Sequence, residues 1–228
     1  MNLPTIATEL ADEFRERAAE LLGDRWTLLI LREMVCGSHG FNELARGLPR
    51  ISRGVLAARL RQLEGNGLVA RSHDGYELTE AGAELEPLLI GLGEWAARFG
   101  FEDPKPDELD PTLLMWWVRR GVDRSQMPRR RTVIEFRFRG EEQRYWLVVE
   151  PEDVPDGVSV CYNDPGFDID LVVHSDVRTM YRIWLGREEL RDATRADRVR
   201  VHGDRRLVRG VPGWLELSPL AAAVRAAV

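Results

Sequence analysis

Lysine is nearly missing: Lys105 stands alone beside 31 arginines in 228 residues. Such a skew reads as coding bias toward GC-rich codons more than as selection by a ligand. Cysteine is scarce too. Cys36 and Cys161 lie far apart without CxxC spacing, which excludes a disulfide framework and a cysteine zinc site. Cys36 follows an apolar helical stretch and reads as a small buried residue. The four histidines, His39, His73, His174 and His202, are scattered, and no HExxH, GxSxG, GxGxxG or phosphate-loop motif occurs. Nothing therefore points to a catalytic residue, a metal or a cofactor, and the expectation is a protein that is not an enzyme. No run of eighteen apolar residues is present, and the first seventeen residues lack the basic start and apolar middle of a signal peptide. The expected location is the cytoplasm, with no membrane partner.

What the chain does have is unevenly distributed charge. Residues 1–103 carry 11 basic and 17 acidic side chains, whereas residues 104–228 carry 21 of each. Within the acidic first half, residues 46–71 hold six arginines (Arg46, Arg50, Arg53, Arg59, Arg61, Arg71) against Glu64 alone. Any polyanion bound by this half must be bound at that short stretch. A composition break follows at residues 102–107, where two prolines and four charges interrupt both periodicities. The expected organisation is residues 1–103, a linker at 104–110, and a second domain at 111–228.

The local pattern of the first half is helical. Leu10, Phe14, Ala18, Leu21 and Leu22 recur at helical spacing up to Gly23; Asp24 then caps a second helix with Trp26, Leu29, Ile30 and Met34 inward. Phe41, Leu44 and Leu48 suit a short third helix closed by Pro49. Ser52 caps a fourth, whose inward line is Leu56, Leu60 and Leu63 and whose end is Gly65-Asn66-Gly67. A hairpin with its turn at His73-Asp74-Gly75 comes next, and Thr79 opens a fifth helix. The outer line of the fourth helix is Gly54, Ala57, Ala58 and Arg61, with Arg53 in its first turn. Small residues let a helix sit deep in a major groove about 12 Å wide while arginines reach phosphates and base edges. The residues expected at double-stranded DNA are Arg50, Ser52, Arg53, Gly54, Ala57, Ala58 and Arg61, with Arg71 and His73 on the hairpin.

The stretches GDRWTLLILRE (23–33), FNEL (41–44), Ile51-Ser52, Val55-Leu56, RLRQLE (59–64), Gly67-Leu68-Val69 and YELTEAG (76–82) resemble the HxlR-type winged helix-turn-helix regulators. The match runs over about residues 9–100. It implies a bacterial transcription regulator that binds a palindromic operator as a homodimer, with the fourth helix in the major groove. The family's usual N-terminal cysteine is missing. Independent support for a dimer comes from the fifth helix, where Leu85, Leu88, Leu89, Leu92, Trp95, Ala96 and Phe99 form a broad apolar stripe, which Pro87 should bend. Phe14, Leu85, Leu88, Leu92, Trp95 and Phe99 are the expected interface.

The second half reads as α+β, an antiparallel sheet covered by helices. A helix from Pro111 carries Leu113, Trp116 and Trp117; in the next segment Thr132, Ile134, Phe136 and Phe138 alternate with Arg131, Glu135, Arg137 and Arg139 as in a half-buried strand. Further strands are predicted at 143–150, 157–163, 167–174 and near Val199–Val201, and helices at 175–186, 187–196 and 204–211. The segments MYRIWLGR (180–187), RVRVHGDRRL (198–207) and WLELSPLA (214–221) are similar to sterol-carrier-protein-2-like (SCP2-like) domains. That resemblance implies an apolar cavity for a hydrophobic small molecule. Five of the seven tryptophans fall in this half, and broad rings can line a pocket or fill a core. The candidate lining is Met115, Trp116, Ile134, Phe136, Phe138, Trp146, Val148, Met180 and Trp184. The reading of the whole is a ligand-responsive transcription regulator. Its rival is a lipid or hydrophobic-ligand carrier that uses the first half only to dimerise.

Overall fold

The computed structural model describes residues 3–99, 103–155 and 157–227, with side chains from residue 12 onward. The chain forms two compact units, Met1–Leu92 and Gly93–Val228.

The first unit opens with α1 (Leu3–Leu22), α2 (Arg25–Val35), α3 (Phe41–Gly47) and α4 (Arg53–Gly65). Asp24 begins α2 as its sequence position suggests, its carboxylate accepting from the Trp26 amide at 2.9 Å. Leu22 packs against the unit's core. The side chain of Leu10 lies outside the described residues. The core joins Ile30, Leu31 and Met34 of α2 to Leu44 of α3 and to Leu56, Leu60 and Leu63 of α4. Each such side chain contributes about 1.5–3 kcal/mol when fully buried.

α4 stops where Gly67 turns to φ +71°, and the Leu68 amide bonds back to the Leu63 carbonyl at 3.0 Å. Strands β1 (Val69–Ser72) and β2 (Gly75–Leu78) then pair antiparallel, with His73 and Asp74 as the turn between Ser72 and Gly75. β2 also leans on the α2–α3 connection: the Tyr76 amide donates to the His39 carbonyl at 2.9 Å. A side chain at Gly75, φ +145°, would start 2.3 Å from that carbonyl.

The single fifth helix expected from Thr79 onward is two helices, α5 (Glu80–Ala83) and α6 (Glu86–Phe99). Pro87 is the reason. It sits in the first turn of α6, where its missing N–H costs nothing, so the chain restarts there instead of bending. The two units divide within α6, between Leu92 and Gly93. Residues 104–110, read from composition as the linker, lie within the second unit. Arg178 donates to the Pro104 carbonyl at 3.0 Å, Arg187 pairs with Asp103 at 3.0 Å, and Pro106–Glu108 form one 3₁₀ turn. Glu102 lies outside the described residues.

The second unit continues with α7 (Pro111–Arg120), β3 (Thr132–Phe138), β4 (Arg144–Val149), β5 (Val158–Cys161), β6 (Leu171–Ser175), α8 (Val177–Trp184), α9 (Leu190–Arg195), β7 (Arg200–Gly203), α10 (Arg205–Trp214) and α11 (Ala221–Ala226). The five strands lie in the order β5-β4-β3-β6-β7. The class is α+β, but the sheet is mixed: β3 and β6 run parallel and the other three pairings are antiparallel. Phe167 and Ile169, expected inside the fourth strand, precede β6 and are exposed.

One sheet face carries Ile134, Phe136, Phe138, Tyr145, Leu147, Val149, Leu171 and Val173, packed against Leu114, Met115 and Val118 of α7, Met180 of α8 and Trp214 of α10. The other face carries Val133, Glu135, Trp146 and Val148, all buried. Glu135, expected on an exposed line, is fully buried and sits between Arg137 at 2.6 Å and Arg144 at 3.3 Å. A buried carboxylate survives only with such charge-assisted partners.

Asp176 ties the sheet to α8. Its carboxylate caps the helix by accepting from the Thr179 amide at 2.7 Å and the Thr179 hydroxyl at 2.8 Å, and it pairs with Arg139 at 2.9 Å. Burial pushes this carboxyl up, but those donors outweigh burial and hold it below the ordinary carboxylate range. A group depressed on folding stabilises the native state above its unfolded pKa and stops doing so as pH falls through its folded one. Stability should therefore fall as pH drops below about 4. Asp176→Asn, which keeps a capping oxygen and loses the charge, should be less stable at pH 7 and decline less steeply in acid. Urea unfolding at stepped pH measures both.

Candidate nucleic-acid interface

α4 is held from three sides, and this fixes what its outer side presents. Leu56, Leu60 and Leu63 enter the core, and the Ser52 hydroxyl accepts from the Val55 amide at 3.2 Å. Arg59 turns back toward α2, donating to Asp24 at 2.7 Å and to Gln62 at 2.7 Å. Asp24 thus caps α2 with one oxygen and anchors α4 with the other. Helix α4 cannot roll about its axis without breaking that pair.

The opposite side is open. Ser52, Arg53, Gly54, Val55, Ala58 and Arg61 are exposed and Ala57 is half-buried. Apart from its chain neighbours and the backbone of its own helix, no described atom lies within 4 Å of where a side chain at Gly54 would start. Arg53 is poised at the helix start: it donates to Asn42 at 3.0 Å and lies 5.8 Å from the Phe41 ring centre. An open groove of about 420 Å³ beside it is lined by Asn42, Ala45, Arg46, Ile51 and Arg53. Arg50 is exposed in the turn between α3 and α4. The structure thus brings Arg50, Ser52, Arg53, Gly54, Ala57, Ala58 and Arg61 onto one helix and its entry.

The two hairpin residues differ from one another. His73 is 99% exposed at the turn, beside Asp74 at 2.9 Å. Arg71 is exposed too, but it is steered by partners, donating to Glu64 at 3.2 Å and lying over the Tyr76 ring. Two residues the sequence reading did not single out are Asn42, which orients Arg53, and Val55, the exposed apolar residue of the first turn. Cys36, expected to be buried, is exposed just after α2. It stands at the helix C-cap, past the last inward position of that helix.

The apolar stripe of α6 divides. Leu85, just before the helix, and Leu89 are half-buried and pack against the first unit's core. Leu88, Leu92, Trp95 and Phe99 are exposed, Trp95 by 58% and Phe99 by 72%, and Phe14 on α1 is exposed by 71%.

The expected pocket lining separates as well. Met115, Ile134, Phe136, Phe138 and Met180 lie in the closed core of the second unit, and Trp184 stacks on Trp117 at its edge, ring centres 4.8 Å apart. Trp146 and Val148 pair with Glu135 and Val133, so they face the other side of the sheet. Trp116 is buried outside that core, under the guanidinium of Arg119 at 4.1 Å. These three cannot line one cavity with Ile134, Phe136 and Phe138.

A three-helix core, an exposed cationic helix and a two-stranded wing define a winged helix-turn-helix transcription regulator. Residues 21–103 match the HxlR-like helix-turn-helix family. The chain is 34% identical over 114 residues to the HTH-type transcriptional regulator YvaP of Bacillus subtilis, covering 96% of that protein and 47% of this chain. It is 36% identical over 91 residues to the HTH-type transcriptional regulator YodB of the same organism, covering 81% of YodB and 37% of this chain. The chain belongs to the HxlR family. The crystal structure of quinone-bound YodB overlaps it with a TM-score of 0.36 at 38% identity, across 38% of this chain and 99% of that one. The UbiJ-SCP2 ubiquinone synthesis protein overlaps it with a TM-score of 0.31 at 19% identity, across 62% of this chain and 93% of that one. Overlaps this loose assign no fold to the second unit. Among the described residues, no helix is long and apolar enough to cross a membrane.

Proposed function

We propose that this chain regulates transcription by binding double-stranded DNA as a homodimer, with α4 in the major groove. The observation that carries the reading is the two-sidedness of α4: leucines inward, and outward an unobstructed line of Gly54, Ala58 and Arg61 beginning at Arg53. A chain that used its first unit only to dimerise would have no use for that line, which disfavours the carrier reading. Binding to a duplex should weaken steeply with added salt, as phosphate contacts release counterions. Titration of duplex DNA at stepped KCl tests this, and salt-independent binding or none would refute it.

The dimer reading rests on Leu88, Leu92, Trp95 and Phe99, spaced along one face of α6 and left exposed. Two α4 helices would then sit about 34 Å apart, one turn of DNA, on a palindromic operator. Trp95→Glu should convert the dimer to a monomer in sedimentation at micromolar concentration and weaken operator binding at least tenfold, since each half-site alone binds far less tightly. A Trp95→Glu protein that still sediments as a dimer would remove α6 from the interface.

The second unit is proposed to bind a hydrophobic small molecule that changes operator affinity, and to do no chemistry. Its support is the half-buried Trp117–Trp184 stack at the rim of the core, flat apolar surface that a planar ligand can cover. A coupling of about 1–3 kcal/mol is enough to change occupancy 5–150-fold. Native mass spectrometry of the purified chain reports oligomeric state and any co-purified ligand together.

A further inference from the structure

Val55 is the third residue of α4, and it is 39% exposed. The first unit's core takes its leucines from positions 56, 60 and 63 and does not include Val55. Alanine would suit the helix better at an exposed site, because valine is the poorer helix former. The exposed part of Val55 is therefore open to a partner outside the folded chain. Around it the outer side offers glycine at 54, alanine at 58, and arginines at 53 and 61. Val55 is the one large apolar side chain on that side.

Two features fix its methyls in place. A β-branched side chain in a helix holds essentially one χ1 rotamer. The Val55 amide is also tied to the Ser52 hydroxyl, which sets the backbone of the first turn. In the major groove the base edges offer hydrogen-bonding groups, with one apolar exception, the C5-methyl of thymine. Arginine matches guanine, and a rigid apolar side chain matches that methyl.

We propose that Val55 is a specificity-determining residue that reads the C5-methyl of one thymine in each half-site. The inference rests on the DNA-binding reading above and sharpens it. Uracil pairs as thymine does and differs only by lacking the methyl, so it isolates the contact.

The test is selection of a random duplex library by the full-length chain, with the library copied once with thymine and once with uracil. Wild type should enrich a motif with a thymine at one position per half-site, and the preference there should fall roughly fourfold in the uracil library, the worth of one small apolar group removed from water. Val55→Ala should enrich the same motif with that one position relaxed, and should bind thymine and uracil versions equally. Because Val55 lies outside the core, circular dichroism should show the variant folded. A motif identical in both libraries, or a Val55→Ala chain that keeps the thymine preference, overturns the assignment while leaving DNA binding intact. If wild type enriches nothing from either library, the DNA-binding reading falls and Val55 falls with it.

Discussion

Replacing Arg53 and Arg61 by alanine together is expected to lower duplex affinity on the order of a hundred- to a thousandfold at 0.15 M salt. Each guanidinium that neutralises a phosphate contributes about 0.9 to the slope of log affinity against log salt. A dimer would lose four of them, so the slope should flatten by about three to four. The two single variants should behave differently where one of them reads a base. Loss of a phosphate contact weakens all sequences alike, whereas loss of a base contact relaxes one position of the motif. Neither change should affect folding, because both side chains are exposed and neither belongs to the core. Arg59→Ala supplies the contrast. It breaks the pair with Asp24, so it should loosen α4 on α2 and lower both stability and affinity.

Leu60→Ala should cost about 2–5 kcal/mol of stability, the usual range for emptying a fully buried leucine site. Leu60 has no exposed surface and lies between Leu56 and Leu63 on the inward line of α4. Against a total of about 5–15 kcal/mol for a domain, this is a large share. Every side chain proposed to touch DNA remains in place in this variant. Its affinity should nonetheless fall, because an ordered helix is what holds those side chains in register. Hydrogen exchange at the α4 amides, followed alongside urea unfolding, separates this from a surface effect. Unchanged exchange in α4 would mean that the helix is braced by something other than its leucines.

The parts legible in the sequence were those whose signals are local. Ser52 followed by leucines at 56, 60 and 63 specifies both the start and the roll of α4, and Asp24 marks the start of α2 in the same way. The two-residue turn at His73-Asp74 is fixed by its own chemistry and by Gly75. Signals that depend on distant partners were not legible. Residues 145–149 are apolar without interruption, so alternation says nothing about which face each takes; only pairing with β3 puts Trp146 and Val148 on the sheet face that Ile134 and Phe136 do not share. The parallel β3–β6 pairing is likewise invisible to local periodicity. Glu135 looked like a solvated charge because Arg144, which helps to neutralise it, comes from the neighbouring strand.

The candidate site shows the same division. Its glycine, alanines and arginines were found from the wheel of a single helix. The pairing of Arg71 with Glu64, seven residues earlier and across the end of α4, is a contact that no single-helix wheel displays. Val55 stands next to a leucine stripe in the sequence, and its exposure is what separates it from that stripe. In α6 the stripe was real, but the break at Pro87 changed its use: Leu85 and Leu89 serve the first unit's core, and Leu88, Leu92, Trp95 and Phe99 stay outside.

The most direct measurement is a photo-crosslink from the middle of α4. Ala58 is replaced by a benzophenone-bearing amino acid, and the full-length chain is irradiated on a duplex enriched from the library. With α4 in the groove, crosslinks should map to bases at two positions one helical turn apart. A duplex that stays bound but is crosslinked nowhere from position 58, while label at that position attaches to the protein itself, would contradict the account.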